Sequence, residues 1–456
     1  MSEQDTICAV STPPGEGGIG IIRISGRNAV IIASIIFKLS KDRSLDMVRT
    51  HTIHYGHVID PATGETIDEA LVSIMLGPAT YTREDVVEIN CHGGMMSLWR
   101  TMAILISAGA RQAEPGEFTK RAFLNGRIDL AQAEAVMDVI SSKTDLSHRA
   151  ANEQLRGGLS AEVARLRDQL VSLIASIEAG IDFPEDDIVT RSADQLANDI
   201  AQLTAEVERL LSSYSYGRIL RNGFATAIVG KPNVGKSSLL NTLLKQNRAI
   251  VSEVPGTTRD VLEEYLNIAG VPIKIVDTAG IRHSHDSIEK EGVRRSLAAI
   301  KSADIVLVVL DGSQPLTAED RQVLNHVIVD KAIAVINKSD LPRNMQQINE
   351  PKMQVSISCN TGTGLNDLRS AISCMVTQGI ACSGEYAWAI NQRHKTSLEQ
   401  TKDSLQKAQE SVEAGLSLEF VALDLRCGLD ALGLIIGATY SETILEQIFT
   451  NFCIGK

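Results

Sequence analysis

The chain has 456 residues, 44% of them hydrophobic and 22% charged, and this length predicts about three domains of ~150 residues each. It shows no apolar run of transmembrane length and no signal peptide, which predicts a cytoplasmic protein without a membrane span. Seven scattered cysteines without a Cys-x-x-Cys pair argue against a disulfide framework, and a net charge of −12 argues against nucleic-acid binding through overall basicity.

The first part of the chain has the pattern of a small α/β domain. Short apolar runs at 6–10, 20–25 and 86–90 have the length and composition of strands. Apolar residues at helical spacing follow at 95–108. We therefore expect an N-terminal α/β domain over residues 1–119.

Helical patterns occupy the next part of the chain and also its end. One apolar stripe at helical spacing consists of Leu130, Ala133, Val136, Met137 and Ile140. The tail from about 385 to 449 has the same pattern, and such stripes are usually the core of a helical bundle. Because these helical segments flank a stretch of different type, we predict a discontinuous helical domain, 120–217 and 381–456, with a domain inserted at 218–380.

The inserted domain begins with a nucleotide-binding signature. An apolar run at 224–229 leads into the loop GKPNVGKS at 230–237, and a helical segment follows at 238–245. In this strand–loop–helix context the loop amides and the helix N-terminus surround phosphates. The Lys236 ammonium then lies between the β- and γ-phosphates, and the Ser237 hydroxyl binds Mg²⁺. The candidate nucleotide contacts in this segment are Asn233, Val234, Gly235, Lys236, Ser237 and Ser238.

Two later segments indicate guanine as the base. Asn337, Lys338 and Asp340 follow an apolar strand at 332–336. The Asp340 carboxylate can accept hydrogen bonds from N1–H and the exocyclic N2 amine of guanine, and a buried carboxylate left unpaired would reject adenine. A second base-supporting loop is expected after the strand at 353–357, with the candidate contacts Ser358, Cys359 and Asn360.

Between these segments lie two candidate switches. Thr257 and Thr258 stand between the phosphate-loop helix and the next strand, where a threonine binds Mg²⁺ only while the γ-phosphate is present; we assign that metal role to Thr258. The strand at 272–276 ends in a segment that places a carboxylate near Mg²⁺ and a glycine beside the γ-phosphate. This segment consists of Asp277, Thr278, Ala279 and Gly280.

The residue after this segment is Ile281, where Ras-like GTPases carry the glutamine that orients the attacking water. Isoleucine has no hydrogen-bonding group, so another side chain must position the water, and we choose Glu289; the alternative is an ordinary charged helix start. Positive charge at the transition state can come from an arginine finger or from a metal ion. Asn233 indicates the metal ion, so we expect a K⁺ site formed by Asn233 together with Ser252, Val254 and Thr257.

Motifs along the whole chain resemble those of the MnmE (TrmE) family of tRNA-modification GTPases. The segments that carry the resemblance are DTI at 5–7, PPGEGGIG at 13–20, RISG at 23–26, CHGG at 91–94, PGEF at 115–118, RAFLNG at 121–126, DLAQAEA at 129–135, DFPE at 182–185 and FCIGK at 452–456. The resemblance implies a multidomain α/β and all-α fold. Its parts are an N-terminal α/β folate-binding domain that also forms a homodimer, a discontinuous helical bundle, and an inserted Ras-like P-loop G domain.

The resemblance also implies a function. Family members act with the flavin-dependent partner MnmG (GidA), which supplies FAD, to install an aminomethyl or carboxymethylaminomethyl group at C5 of the wobble uridine of certain tRNAs. A reduced folate, 5-formyl- or methylene-tetrahydrofolate, supplies the one-carbon unit. GTP hydrolysis with Mg²⁺ and K⁺ is coupled to dimerisation of the G domains.

Family motifs place the folate contacts at Arg23, Glu88, Arg127 and Lys456, since cationic groups pair with a glutamate tail and a carboxylate accepts from pterin N–H groups. Relatives often carry lysine where this chain has Arg127. Cys453 is a candidate nucleophile, because a thiol near Lys456 on a flexible tail is expected to be exposed and able to attack a substrate. The alternative is an inert residue, since a lone cysteine is more often inert.

Two other functions remain as alternatives. A ribosome-assembly GTPase of the Era or Der kind shares the P-loop, but Era-like chains add a basic KH module and Der-like chains a second G domain. Neither feature occurs here, since the chain has one P-loop and an acidic balance. A folate enzyme that uses GTP only for regulation is the third alternative, and folate binding without a tRNA phenotype would favour it.

Overall fold

The computed structural model describes residues 5–40, 44–182, 191–247, 264–276, 298–381 and 388–456. The chain forms two compact units. In the described residues, the first unit comprises 5–137 and 436–456, and the second comprises the remainder between 138 and 435.

The strands and helices of the first unit begin with β1 and end with the last helix of the chain. The strands are β1 Ile7–Val10, β2 Gly17–Ser25, β3 Phe37–Leu39, β4 Thr52–Ile59, β5 Thr66–Met75, β6 Val86–Gly93 and β7 Arg111–Gln112. The helices are α1 Ala29–Ile36, α2 Met95–Ser107, α3 Glu117–Leu124 and α4 Leu130–Ser141, which crosses into the second unit; the C-terminal helix, labelled α14 below, is Glu442–Phe449.

One mixed sheet organises the first unit. Its order is β3-β4-β5-β6-β2-β1-β7, with neighbouring strands antiparallel except for the parallel pair β1 and β7. Successive residues of β1 face opposite sides of the sheet, so Cys8 joins the core under α1 and α2, whereas Ile7 and Ala9 join a cluster with Phe118 of α3. The predicted strands at 6–10, 20–25 and 86–90 and the helix at 95–108 correspond to β1, β2, β6 and α2.

Glycine motifs in this sheet permit close backbone approach. Gly17 of the PPGEGGIG segment pairs with Gly93 of the CHGG segment across β2 and β6. A Cβ atom on Gly93 would lie 2.4 Å from the Gly17 carbonyl oxygen, so a larger residue cannot stand there without moving the strand.

The predicted stripe on α4 is only partly buried. Leu130 and Ala133 are fully buried beside Phe449 and Phe452, and Val136 and Met137 pack at the edge of the same cluster. The prediction is wrong for Ile140, which is 47% exposed. The cluster ends at Met137, so the last turn of α4 has no apolar partner surface within it.

The second unit contains a nucleotide-binding-type sheet and most of the helices. The strands are β8 Phe224–Val229, β9 Glu264–Ile268, β10 Val271–Val276, β11 Ile305–Asp311, β12 Ala332–Asn337 and β13 Met353–Ser356. The helices, named in chain order over the described residues, are α5 Asp145–Leu155, α6 Gly158–Asp182, α7 Ala193–Ser212, α8 Tyr214–Asn222, α9 Lys236–Asn247, α10 Ala318–His326, α11 Leu365–Ala381, α12 Gln392–Glu413 and α13 Leu418–Ile436. The helix Glu442–Phe449 is therefore α14.

The six strands of this sheet have the order β13-β12-β11-β8-β10-β9, and all pairs are parallel except β9 with β10. Alternate residues of β11 enter two different cores, with Leu307 among the residues that pack α9 and α11, and Val308 in the cluster on the other face. A sheet covered on both faces explains why its strands are continuous apolar runs. The predicted strands at 224–229, 272–276, 332–336 and 353–357 match β8, β10, β12 and β13 within one residue or two.

The helices before and after the sheet pack against one another. An apolar stripe on α6, which includes Leu166, Leu170 and Ile177, is buried. Lys402 of α12 forms an ion pair with Glu208 of α7 at 2.7 Å. The chain segment after the sheet therefore packs onto helices that precede it.

Candidate functional site

The phosphate loop connects β8 to α9. Val234 is buried and anchors the loop in the core, whereas Asn233 is exposed and adopts a left-handed conformation with φ of 62°. Asparagine is among the few residues that tolerate this conformation. The loop thus turns sharply into the N-terminus of α9, where Lys236 and Ser237 are the first two helical residues.

Lys236 lies inside the loop. Its Nζ donates hydrogen bonds to the carbonyl oxygens of Gly230 at 2.7 Å and Lys231 at 2.8 Å. Burial lowers the pKa of this ammonium group, because its charged form is partly desolvated. An anionic phosphate beside it would compensate that desolvation, so the position suits a phosphate ligand.

Asn337, the last residue of β12, joins three loops at the carboxyl edge of the sheet. Its side chain is buried; Nδ2 donates to the Val234 carbonyl oxygen at 2.8 Å, and Oδ1 accepts from the Cys359 amide at 3.2 Å. The amide therefore ties the phosphate loop to the loop after β13. The structure brings together the predicted residues of 233–238, 337–340 and 358–360 at this edge, where ligands of parallel α/β sheets bind.

The remaining base-loop residues differ in exposure. Asp340 and Asn360 are exposed, and Ser358 is buried. The Ser358 Oγ accepts from the Thr361 amide at 3.2 Å, which orders that turn. The Asp340 side chain is therefore accessible to a ligand. The burial expected for this carboxylate would arise only when a bound base covers it.

The other predicted nucleotide and metal contacts lie outside the described residues. They are Ser252, Val254, Thr257, Thr258, Asp277, Thr278, Ala279, Gly280 and Glu289, together with Ile281.

Two ion pairs beside this site were not foreseen. Lys231 of the phosphate loop pairs with Asp320 at 2.9 Å, and Lys338 pairs with Asp311 at 2.6 Å. Asp311 directly ends the apolar run of β11, the same signal that identified the other loops of this edge. The Lys231 pairing joins residues 89 positions apart and has no local sequence signal.

A second candidate site lies in the first unit and centres on Arg23. Its Nε donates to Glu88 Oε1 at 2.7 Å, directly across the paired strands β2 and β6, and one terminal nitrogen donates to the Gly455 carbonyl oxygen at 3.3 Å. The guanidinium also lies 5.7 Å from the centroid of the Phe118 ring. Arg23 and Glu88, two of the four predicted folate contacts, therefore meet beside Gly455, the neighbour of the third predicted contact, Lys456.

The tail is held against the start of the sheet. Gly455 adopts φ of 92°, and a Cβ atom on it would lie 2.3 Å from the Val10 carbonyl oxygen. The Ser11 hydroxyl donates to the Gly455 carbonyl at 3.1 Å, and the Gly116 amide donates to the Cys453 carbonyl at 3.4 Å. These contacts leave the Cys453 side chain exposed and Lys456 half-buried.

Arg127, the fourth predicted folate contact, is exposed and lies 4.7 Å from the centroid of the Tyr81 ring. Tyr81 packs against the cluster that includes Phe118, on which Arg23 also lies. Each of the two arginines therefore lies over an aromatic ring, a feature that the sequence did not reveal.

The cysteines of this unit have contrasting environments. Cys8 and Cys91 are buried, and burial raises the pKa of both thiols to about 11. Thiolate is therefore a minor form of either residue at neutral pH, whereas Cys453 is exposed to solvent.

The phosphate loop and the Asn-Lys-Ser-Asp loop on a mostly parallel sheet define the class of protein: a P-loop GTP hydrolase. Within the part of the chain that the structure describes, no helix is long and apolar enough to cross a membrane.

Comparison with known proteins identifies the family within this class. The family model for the GTP-binding protein TrmE N-terminus matches residues 6–127, and that for the MnmE helical domain matches 130–453. The chain is 47% identical over 461 residues to the tRNA modification GTPase MnmE of Alkaliphilus oremlandii, covering 100% of both chains. It is 48% identical over 462 residues to that of Lactiplantibacillus plantarum, covering 100% of this chain and 99% of the relative. The chain therefore belongs to the MnmE family of tRNA modification GTPases.

Among solved structures, the G domain of the T. maritima FeoB iron transporter aligns with 33% of this chain and 98% of its own, at 23% identity and a TM-score of 0.23. The family matches confirm the predicted N-terminal and helical domains, and the phosphate loop between β8 and α9 of the six-stranded sheet confirms the P-loop G domain.

Proposed function

We propose that this chain hydrolyses GTP in the modification of tRNA, adding an aminomethyl or carboxymethylaminomethyl group at C5 of the wobble uridine. The carrying observation is the identity of 47% to a curated tRNA modification GTPase over the full length of both chains. The geometry of the phosphate and base loops supports the GTP part of the proposal. The tRNA, a homodimer of this chain and the FAD-containing partner MnmG complete the proposed cytoplasmic system.

In the proposed GTP complex, the N-terminus of α9 and Lys236 hold the phosphates. Ser237 and Thr258 hold Mg²⁺, and Asp277 to Gly280 lie beside the γ-phosphate. Asp340 accepts from the guanine edge, with Asn337, Lys338 and the 358–360 loop as its support. The exposure of Asp340 and the location of Lys236 in the loop fit these roles.

We further propose that K⁺ supplies positive charge during hydrolysis, with Asn233 and residues 252, 254 and 257 as ligands, and that Glu289 positions the water. The exposed, left-handed Asn233 supports this, because it places a residue with an amide oxygen at the surface of the phosphate loop. Hydrolysis is then coupled to G-domain dimerisation. GTP turnover should be faster in KCl than in NaCl, and Asn233→Ala should remove most of that difference; equal wild-type rates in the two salts would refute the K⁺ role.

A reduced folate is the proposed one-carbon donor. The side chains fit its chemistry: Arg23, Arg127 and Lys456 can pair with the glutamate carboxylates, and Glu88 can accept from pterin N–H groups. The Arg23–Glu88 contact at 2.7 Å and the adjacent tail support a shared site. When bound, the folate supplies the one-carbon unit, and these residues orient it.

For Cys453, we propose a thiol role in the modification step, supported by its exposure on the held tail. Modification should fail in a Cys453→Ser strain although GTP hydrolysis persists. The exposed Cys427→Ser is the matched control, for which normal modification is expected.

The test of the whole proposal is nucleoside mass spectrometry of total tRNA from cells that lack this protein. The cells are complemented with wild type, with Asp277→Ala, or with the control Asp330→Ala, which removes an exposed carboxylate of the same domain. We expect 5-aminomethyl-type uridines to vanish without the protein and to return with wild type and the control only. Persistence of these uridines in the deleted strain would overturn the proposal in favour of a ribosome-assembly GTPase.

A further inference from the structure

A carboxylate at the end of a central strand lies beside the base loop. Asp311 is the last residue of β11, and its side chain is 3% exposed. It pairs in register with Asn337, the last residue of β12, and the Gly312 amide donates to the Asn337 carbonyl at 2.9 Å. Asp311 therefore stands where the phosphate and base loops converge.

Both oxygens of Asp311 have partners. Oδ2 accepts from Lys338 Nζ at 2.6 Å, and Oδ1 accepts from the amide of Ser313 at 3.0 Å and from its hydroxyl at 2.6 Å. Burial opposes the charged form, but the hydrogen bonds from Lys338 and Ser313 outweigh it and lower the pKa of the carboxyl. An ionised, fully bonded carboxylate is a fixed anchor for the Lys338 side chain.

Lys338 needs such an anchor because its backbone is unusual. Its φ is 64°, a left-handed conformation that is strained for a residue with a side chain. The turn that it starts is held at two more points, by the Ser339 amide on the Ile357 carbonyl at 3.0 Å and the Leu341 amide on the Lys338 carbonyl at 3.0 Å. Asp340 lies within this turn.

We infer that Asp311 is a positioning residue for guanine recognition. It holds Lys338 so that the apolar stem of the lysine supports the purine ring and Asp340 faces the N1 and N2 donors of the base. This inference rests on the proposed role of Asp340. It adds a residue that acts through Lys338 and does not touch the nucleotide.

A competing account predicts the opposite effect of removing the Asp311 carboxylate on nucleotide affinity. If the Asp311–Lys338 ion pair were a resting latch that nucleotide must break, then removing the carboxylate would strengthen nucleotide binding. The two accounts are therefore separable by affinity measurements on one variant.

The test is equilibrium binding of GDP and of inosine diphosphate, which lacks the 2-amino group, to wild type and to Asp311→Asn. We expect GDP affinity to fall roughly tenfold, as the loss of a charge-assisted hydrogen bond predicts. Inosine diphosphate affinity should fall less, since one of its contacts with Asp340 is already missing. Asp330→Asn, which removes an exposed charge of the same domain, should leave both affinities unchanged.

A merely structural role of Asp311 would weaken both nucleotides equally, so an unchanged GDP-to-IDP affinity ratio overturns the inference, as does tighter GDP binding. If Asp311→Asn does not fold, Lys338→Met keeps the apolar stem but removes the ion pair, and the ratio should again shrink; a wild-type ratio overturns the inference. Wild type without a preference for GDP over ADP would instead defeat the proposed role of Asp340, and the inference with it.

Discussion

At the scale of single residues, Asn337 illustrates how a nucleotide signature can serve the protein itself. Its buried side-chain amide donates one hydrogen bond to the phosphate loop and accepts another from the Cys359 amide. A Cβ atom on Gly235 would lie 2.2 Å from Asn337 Nδ2, so glycine at 235 is required for this contact. Substituting Asn337 should therefore disturb two loops at once, whereas Asp340 is free to be altered without unfolding the domain.

Asp340→Asn is expected to change base preference. The asparagine amide can donate to the C2 carbonyl of xanthine, whereas it presents a donor to the N2 amine of guanine. GTP affinity should fall at least about tenfold and XTP should bind in its place, since a buried unpaired donor is costly. Competition of GTP and XTP against a fluorescent GDP measures this change.

Because Asp340 is exposed, the free energy of unfolding of this variant should lie within about 0.5 kcal/mol of the wild-type value. Asp330→Asn, another exposed carboxylate, is the control and should keep the GTP preference. Undiminished GTP binding by Asp340→Asn would remove Asp340 from the base site.

At the scale of secondary-structure elements, the start of α10 is tied to the phosphate loop. Thr317 caps the helix in a capping box with Asp320, whose Oδ2 accepts from the Thr317 amide at 2.9 Å and from Lys231 Nζ at 2.9 Å. Burial opposes the charge on Asp320, but the bonds from Thr317 and Lys231 outweigh it and lower the pKa of the carboxyl. One side chain therefore caps the start of a helix and also holds the phosphate loop.

Asp320→Ala should destabilise the domain by about 3–5 kcal/mol, because it leaves the mostly buried Lys231 ammonium without this partner and removes the cap interaction. Guanidinium unfolding at pH 7 measures the loss. A folded-state pKa below the ordinary value of about 3.9 stabilises the protein above that pH, and this contribution disappears as the pH falls through the folded-state pKa. The difference between wild type and Asp320→Ala should therefore shrink below about pH 4.

The matched control is Asp367→Ala, an exposed carboxylate in the first turn of α11. Its loss should cost no more than about 1 kcal/mol, the usual helix-dipole contribution. Equal losses for the two variants would show that the buried pair with Lys231 does not stabilise the domain.

Elements with a strong local signal were predicted from the sequence, and those without one were not. β8 and β12 are buried apolar runs that lead directly into recognisable loops. β4 and β5 were not predicted, because apolar residues lie on both faces of these strands, with Ile53, Tyr55 and Leu71 exposed. The alternation of apolar and polar residues typical of a strand is therefore weak. The predicted burial of Ile140 was wrong for a related reason, since helical spacing does not reveal where the surface that covers the helix ends.

The same limit applies to the candidate sites. Loop residues such as Lys236 and Asp340 follow from spacing, but the Lys231–Asp320 pair and the Arg127–Tyr81 contact depend on elements far apart in the chain. Residues that position a functional side chain need no motif of their own, so only the folded chain reveals them.

At the scale of the whole molecule, the segment that precedes the six-stranded sheet meets the segment that precedes α12 at one place in the second unit. α8 leads into β8, and residues 388–391 lead into α12; the contact between these two segments is called the crossing. Gly217 of α8 lies against the Ile390 backbone, where a Cβ atom would approach the Ile390 carbonyl oxygen to 2.5 Å. Arg221 joins this crossing, since its Nε donates to Asp138 Oδ2 at 2.7 Å and a terminal nitrogen donates to the Ala389 carbonyl.

Arg221→Met should loosen this crossing without altering the phosphate loop. The Arg221 and Asp138 side chains are 17% and 16% exposed, so the loss of these charge-assisted bonds should cost about 1.5–3 kcal/mol of local stability. Amide hydrogen exchange at 388–395 should accelerate by roughly tenfold or more, because opening of this segment becomes less costly. Arg221→Lys keeps the charge but cannot reach both partners in the same planar geometry, so its exchange should be intermediate.

Arg426→Met is the control for this measurement, because the Arg426–Glu178 pair is also an arginine–carboxylate pair between helices but is 59% and 38% exposed. Exposed pairs contribute about 0–1 kcal/mol, so exchange at 388–395 should stay at the wild-type rate. If GDP binding slows exchange in this segment of wild type and not of Arg221→Met, the crossing transmits the nucleotide state to the helical domain. If Arg221→Met leaves the exchange unchanged, the backbone contact of Gly217 with Ile390 holds the crossing by itself, and Arg221 has no part in domain coupling.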